Sequence, residues 1–236
     1  MTANLRGVTA VLLPGTGSDD DYIRRAFGGA LRVAGAVVVT PPPVPLRLID
    51  GYLQALDDAA SNGPIVVGGV SLGAAVATNW ALAHADRAVG VLAALPAWTG
   101  VANGAPAALA ARYSAQQLRE IGLDAAVAGM RAGSPPWLAD ELTRSWSAQW
   151  PALPDAMEEA AGYTAPSGAE LARLTVPMGV AGAVDDAVHP VSVATEWAAT
   201  APRAALRTVT LAEMGRNPEV LGDAAVEALE EAVSRQ

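Results

Sequence analysis

The stretch Pro64-Ile65-Val66-Val67-Gly68-Gly69-Val70-Ser71-Leu72-Gly73-Ala74-Ala75-Val76-Ala77 decides the fold. A short β-branched run passes through Gly-x-Ser-x-Gly and continues into alanine-rich sequence. The first part favours a buried strand and the last part a helix. Strand, sharp turn and helix is the setting that exposes a serine nucleophile. Ser71 is expected at the tip of that turn, in a strained backbone conformation. Gly69 and Gly73 keep Cβ atoms out of the space where strand and helix meet. The helix N-terminus behind Ser71 offers unpaired N–H groups and a positive dipole end to a developing oxyanion. The plainer reading is an ordinary strand-to-helix turn that contains a serine.

Outward from this stretch, apolar runs alternate with helical patterns. Residues 8–13 read as a buried strand that ends in the glycine-rich turn Pro14-Gly15-Thr16-Gly17. Ser18 and the acidic residues Asp19, Asp20 and Asp21 precede a helix that starts near Tyr22. Three aspartates can suggest a metal, but an N-cap with acids facing the helix dipole explains them better. A second strand, 36–40, stops at Pro41-Pro42-Pro43. Leu46, Ile49, Leu53 and Leu56 have helical spacing. Beyond the helix that follows Ser71, expected to run to about residue 85, strands are expected at 89–95, 176–182 and 206–211, and helices at 190–199 and 220–233. Such alternation predicts an α/β fold with a mainly parallel, doubly wound sheet.

The alternation is interrupted between residues 99 and 167. This segment looks helical and carries Trp137, Trp146 and Trp150, with Trp98 at its border. The expected organisation is a core of residues 1–98 and 168–236 with a helical cap inserted at 99–167. The tryptophans either line an apolar pocket for substrate, Trp98 among them, or join cap to core.

Composition narrows the function. The chain has 236 residues, 52% of them apolar, enough for a sizeable core. A net charge of −9 argues against a nucleic-acid partner. All 15 basic residues are arginine, which excludes a lysine Schiff base and the usual P-loop. There is no cysteine, hence no disulfide, thiolate metal site or cysteine nucleophile. No cofactor motif stands out: Gly15-x-Gly17 lacks the third glycine of a dinucleotide-binding turn. The residues Met1 to Arg6 lack the apolar core of a signal peptide, and no apolar stretch is long enough to span a membrane. A cytoplasmic protein acting on a small molecule is expected, with neither nucleic-acid nor membrane partner; a homo-oligomer is compatible with the sequence.

With these pieces in order, the chain resembles the α/β-hydrolase family over nearly its whole length. Pro14-Gly15-Thr16 resembles the oxyanion loop, with proline where histidine is frequent, and Gly69-Val70-Ser71-Leu72-Gly73 resembles the nucleophile elbow. Gly182-Ala183-Val184-Asp185-Asp186-Ala187-Val188-His189-Pro190 resembles the acid loop. The resemblance implies Ser71 as nucleophile, Asp185 as triad acid, and the N–H groups of Thr16 and Leu72 as oxyanion donors. It also fits the position of the cap.

One piece departs from the pattern. The family's histidine follows the last strand, where this chain has Glu213-Met214-Gly215-Arg216-Asn217-Pro218. Arg216 at that position stays protonated and cannot deprotonate Ser71, and it is expected to pair with Asp185. Only two histidines exist. His84 lies a dozen residues along the helix from Ser71, roughly 20 Å away, and reads as a helix-terminal residue. His189 lies in the acid loop and is the candidate for a relocated base, oriented by Asp185 or Asp186; the plainer reading is a rim residue. Two functions follow. One is a serine hydrolase cleaving an ester, thioester or amide of a small, partly apolar substrate. The other is a hydrolase-fold protein without hydrolysis, binding a ligand or performing lyase- or cyclase-type chemistry.

Overall fold

The computed structural model describes residues 5–234. The N-terminal residues 1–4, read above for a leader, lie outside this range. Six strands form one sheet: β1 (Thr9–Leu13), β2 (Val37–Val39), β3 (Ile65–Val70), β4 (Ala88–Ala94), β5 (Met178–Ala183) and β6 (Ala204–Val209). Their order is β2-β1-β3-β4-β5-β6, and every pairing is parallel. The expected doubly wound sheet is therefore present, with strand ends shifted by no more than two residues from the sequence reading.

Helices cover both faces because inner strands carry apolar residues on both sides. Along β1, Ala10 and Leu12 join one buried cluster while Val11 and Leu13 join the other. One face receives α1 (Asp20–Val33) and α10 (Glu219–Ser234) through Ile23, Phe27, Leu221 and Leu229. The other receives α2 (Leu48–Ala60), α3 (Leu72–Ala83) and α8 (Val191–Thr200) through Leu56, Trp80 and Trp197. Asp19 caps α1 as the sequence suggested: its Oδ1 accepts from Tyr22 N at 2.9 Å.

Between β4 and β5 the chain forms α4 (Pro106–Ala132), α5 (Pro136–Gln149) and α6 (Leu153–Ala161), followed by the short α7 (Gly168–Leu171). α4 bends at Gly122, whose φ of 78° and ψ of 173° interrupt the helix. Ionic contacts tie α5 to the first turns of α1. Arg25 grips both oxygens of Glu141 at 2.7 Å, and Arg144 reaches Asp19 at 2.9 Å. Gln149 adds a hydrogen bond to Ser18 O at 3.0 Å.

Neither the short α7 nor the helix after the last strand was anticipated. The last strand stops at Val209, and α9 (Leu211–Arg216) begins directly. Thr210 and Glu213 form a reciprocal capping box: Thr210 Oγ1 accepts from Glu213 N, and Glu213 Oε2 accepts from Thr210 N. The strand expected at 206–211 therefore lies two residues earlier, ending at Val209. No helix among the described residues is long and apolar enough to cross a membrane.

Tyr52 on α2 tests the packing of this core. Its ring is fully buried and its hydroxyl has no partner within the protein. Burial first, then the charge of Asp20, pushes its pKa far above the usual tyrosine value. A raised folded pKa gives stability that is complete below the unfolded value of about 10 and declines above it. Tyr52→Phe is therefore expected to leave stability at pH 7 unchanged or raise it by about 1 kcal/mol. It should also flatten the loss of stability above about pH 10, as measured by urea unfolding across that range.

Candidate active site

The sheet order changes direction between β1 and β3, and the carboxyl ends of such neighbouring strands open a crevice. Thr16 follows β1 and Ser71 follows β3, so both stand at this opening. Ser71 has φ 55° and ψ −114°, a region that a residue with a Cβ rarely enters. It is held there by its N–H, which donates to Ala94 O at 2.9 Å, and by close packing of the elbow on β1. A Cβ at Gly69 or at Gly73 would collide with Leu13 O. The two glycines let strand, elbow and helix lie against the end of β1, as read from the sequence.

The loop after β1 also comes close. A Cβ on Gly15 would stand 3.4 Å from Ser71 Cβ and 3.1 Å from Val70 O. Thr16 therefore lies beside the elbow and lines the same cavity as Ser71. Leu72 begins α3, so its N–H belongs to the first turn, which has no acceptor within the helix. Its side chain is buried in the core and does not line the cavity.

His189 meets Ser71. Its Nε2 is 3.0 Å from Ser71 Oγ, and its Nδ1 is 2.8 Å from Asp186 Oδ2. A carboxylate only accepts, so Nδ1 carries the proton. In the neutral ring Nε2 is then free to accept from the serine hydroxyl. Asp186 is fixed in turn: Oδ1 accepts from Val188 N at 2.8 Å and from His189 N at 3.2 Å. Burial opposes its charge most strongly. The bond to His189, that ring's charge and the two N–H groups outweigh burial, and its pKa lies below the ordinary value. The arrangement can move a proton from hydroxyl to imidazole while the carboxylate stabilises the resulting cation.

The aspartate that meets His189 is Asp186 and not the expected Asp185. Asp185 does not touch His189; its Oδ1 accepts from Leu211 N at 2.8 Å, at the first residue of α9. Consecutive side chains point apart here, one to the histidine and one to the following helix. The expected Arg216–Asp185 pair is also not formed. Arg216 is exposed in the last turn of α9, where its charge acts on Glu213. A cation in the last turn suits the helix dipole. His84 is a helix-terminal residue as read: its Nδ1 donates to Trp80 O at 2.9 Å and its ring stacks on Trp80.

Ser71, His189 and Asp186 open into a cavity of about 310 Å³ lined in part by α4, α5 and α6. Trp98, Trp137 and Trp146 line it, whereas Trp150 does not and is 39% exposed. Trp98 also donates to Tyr163 O at 3.3 Å, so one tryptophan both lines the cavity and ties the segment together. Sequence reasoning missed Tyr22, Met130 and Met157 as lining residues. The usable signal for Tyr22 was its place in the first turn of a helix entered straight from the loop at Thr16. No group of three or more metal-ligating side chains occurs among the described residues.

Because the folded pKa of Asp186 is depressed, its stabilising effect is present above the unfolded value of about 3.9 and fades as pH falls through the folded one. Asp186→Asn should therefore be less stable than wild type at pH 7. In urea unfolding that difference should shrink below about pH 4. Asp185→Asn keeps an acceptor for Leu211 N and should stay close to wild type throughout.

No protein-family model and no curated protein matches the chain. Solved structures do. A carboxylesterase structure from Nitrososphaera gargenis superposes with a TM-score of 0.76 at 14% identity, covering 99% of this chain and 94% of that one. The enol-lactonase of Burkholderia xenovorans gives 0.69 at 18% identity, covering 97% and 92%. An alpha/beta hydrolase from Sphaerobacter thermophilus gives 0.59 at 22% identity, covering 94% and 92%. The parallel six-stranded sheet, the elbow at its centre and these superpositions together show that the chain has the α/β-hydrolase fold.

Proposed function

We propose that the chain is a serine hydrolase that cleaves an ester, thioester or amide bond of a small, partly apolar molecule. The observation that carries this reading is the unbroken series Ser71 Oγ, His189 Nε2 at 3.0 Å, His189 Nδ1, and Asp186 Oδ2 at 2.8 Å. It supplies the base that Arg216 cannot be, and so favours hydrolysis over a hydrolase-fold protein without it.

Ser71 attacks the carbonyl carbon while His189 Nε2 takes the hydroxyl proton. Asp186 holds the ring in place and stabilises the imidazolium. The N–H groups of Thr16 and Leu72 donate to the oxyanion, where charge develops and fixed dipoles act most strongly. His189 then gives its proton to the leaving group, and the acyl group remains on Ser71. Water attacks in the second half, with His189 again accepting and returning one proton. Trp98 and the apolar wall of the cavity hold the organic part of the substrate.

The test is hydrolysis of p-nitrophenyl esters. Wild type should turn over short acyl esters, and palmitate should react more slowly than hexanoate because the cavity is only about 310 Å³. His189→Ala and Asp186→Asn are expected to lose about two to four orders of magnitude in kcat. Asp185→Asn should lose less than about threefold, since its acceptor survives. Equal turnover by wild type and His189→Ala would remove His189 from the mechanism.

A further inference from the structure

We propose that Leu95 is a specificity-determining residue of this site, whose side chain restricts the acyl group to one that is unbranched next to the carbonyl. The proposal rests on the serine-hydrolase reading and names the class of acyl group that Ser71 accepts.

Among the described residues, nine have a positive φ. Seven are glycines, which enter that region without a steric penalty. The two exceptions are Ser71, at 55°, and Leu95, at 47°, and both line the same cavity. Leu95 meets a second conflict, because Pro96 follows it and a residue before proline is driven towards extended conformations with negative φ. Glycine would relieve the strain, so a bulky residue held against both preferences marks a place where the side chain itself is required. At Ser71 the required group is the hydroxyl. At Leu95 it is an isobutyl group, which can move no proton and acts by occupying space.

The backbone ties this residue to the reacting groups. Ala94 O, in the residue before it, accepts from Ser71 N–H at 2.9 Å, and Leu95 N–H donates to Ala181 O at 2.7 Å. Ala181 belongs to β5, the strand that leads into the turn of Asp186 and His189. Leu95 therefore stands where the elbow and the strand bearing acid and base are joined. Its side chain is 5% exposed and belongs to one buried cluster with Val70 and Met214, and all three line the cavity. A wall that begins one residue from the elbow's own backbone contact faces the first atoms attached to the carbonyl carbon. One of these is the acyl α-carbon, which remains at Ser71 through both halves of the reaction. A second substituent on that carbon competes with the leucine for space, and crowding a packed wall by even one methyl group is unfavourable. A straight chain turns away from the wall into the rest of the cavity.

The experiment compares p-nitrophenyl butyrate with p-nitrophenyl isobutyrate, which share composition and leaving group, in wild type, Leu95→Gly, Leu95→Ala and Leu95→Met. Wild type should prefer butyrate in kcat/KM by about tenfold beyond the ratio of the two alkaline hydrolysis rates. Leu95→Gly and Leu95→Ala should each bring that corrected ratio to within about threefold of one, and Leu95→Met, which refills the space, should keep most of the preference. Urea unfolding tests the strain separately. Leu95→Gly should be at least as stable as Leu95→Ala, the reverse of the usual order, because only glycine relaxes the backbone. If Leu95→Gly does not fold, the ester ratio of Leu95→Ala decides. A role confined to core packing gives lower stability with an unchanged ratio, and that result overturns the proposal. So does a Leu95→Ala protein more stable than Leu95→Gly, or a change in preference that is seen for isopropyl against propyl butyrate and not for the acyl pair. A wild type that hydrolyses both acyl esters alike overturns the proposal and leaves the hydrolase reading standing. No turnover of any ester by wild type or variants overturns that reading, and the proposal with it.

Discussion

The structure depends on a single crowded junction, where the carbonyl of Leu13 at the end of β1 lies against the elbow between β3 and α3. Gly69 and Gly73 are required there because any Cβ would collide with that carbonyl. The approach holds Ser71 at a positive φ and brings the loop of Gly15 and Thr16 to its side. It also places the hydroxyl at the point where the sheet order reverses, where the connections leaving paired strands β1 and β3 diverge to leave a crevice outside their carboxyl ends. A strained residue persists only where its surroundings over-determine it, and here packing and the Ser71–Ala94 hydrogen bond do so.

The proton-handling groups are organised differently from what the chain order suggests. Asp186 and His189 belong to one turn after β5 and hold one another through two hydrogen bonds, with a third from Val188 N–H to Asp186. That turn needs no contribution from the segment after β6, which is free to become α9. The carboxylate of Asp185 secures the start of that helix, so the two adjacent aspartates serve different neighbours. Arg216 then needs no catalytic role, and its position in the last turn of α9 follows from helix electrostatics.

Most of the architecture was legible because it is written locally. Gly-x-Ser-x-Gly after a β-branched run, the alternation of strand and helix, and the Asp19 cap each occupy a few consecutive residues. The choice between Asp185 and Asp186 was not legible from spacing. It is settled by which N–H each carboxylate meets, and Leu211 is 26 residues away from Asp185. His189 as the histidine beside Ser71 was readable, since only two histidines exist and the other lies at the far end of α3. The helix α9 had a local signal, Thr210-x-x-Glu213, that the apolar run before it obscured. Cavity residues such as Tyr22 were hidden for another reason: which tryptophans and tyrosines face Ser71 depends on how α5 docks on α1, an arrangement made by ion pairs between distant residues.

The central claim is that His189, and nothing after β6, activates Ser71. Its most direct measurement is the rate at which a fluorophosphonate labels the protein, with the labelled residue located by peptide mass spectrometry. Wild type is predicted to be labelled at Ser71, and His189→Ala to be labelled about two to four orders of magnitude more slowly. Equal rates in the two proteins, or no label on folded wild type, would contradict it.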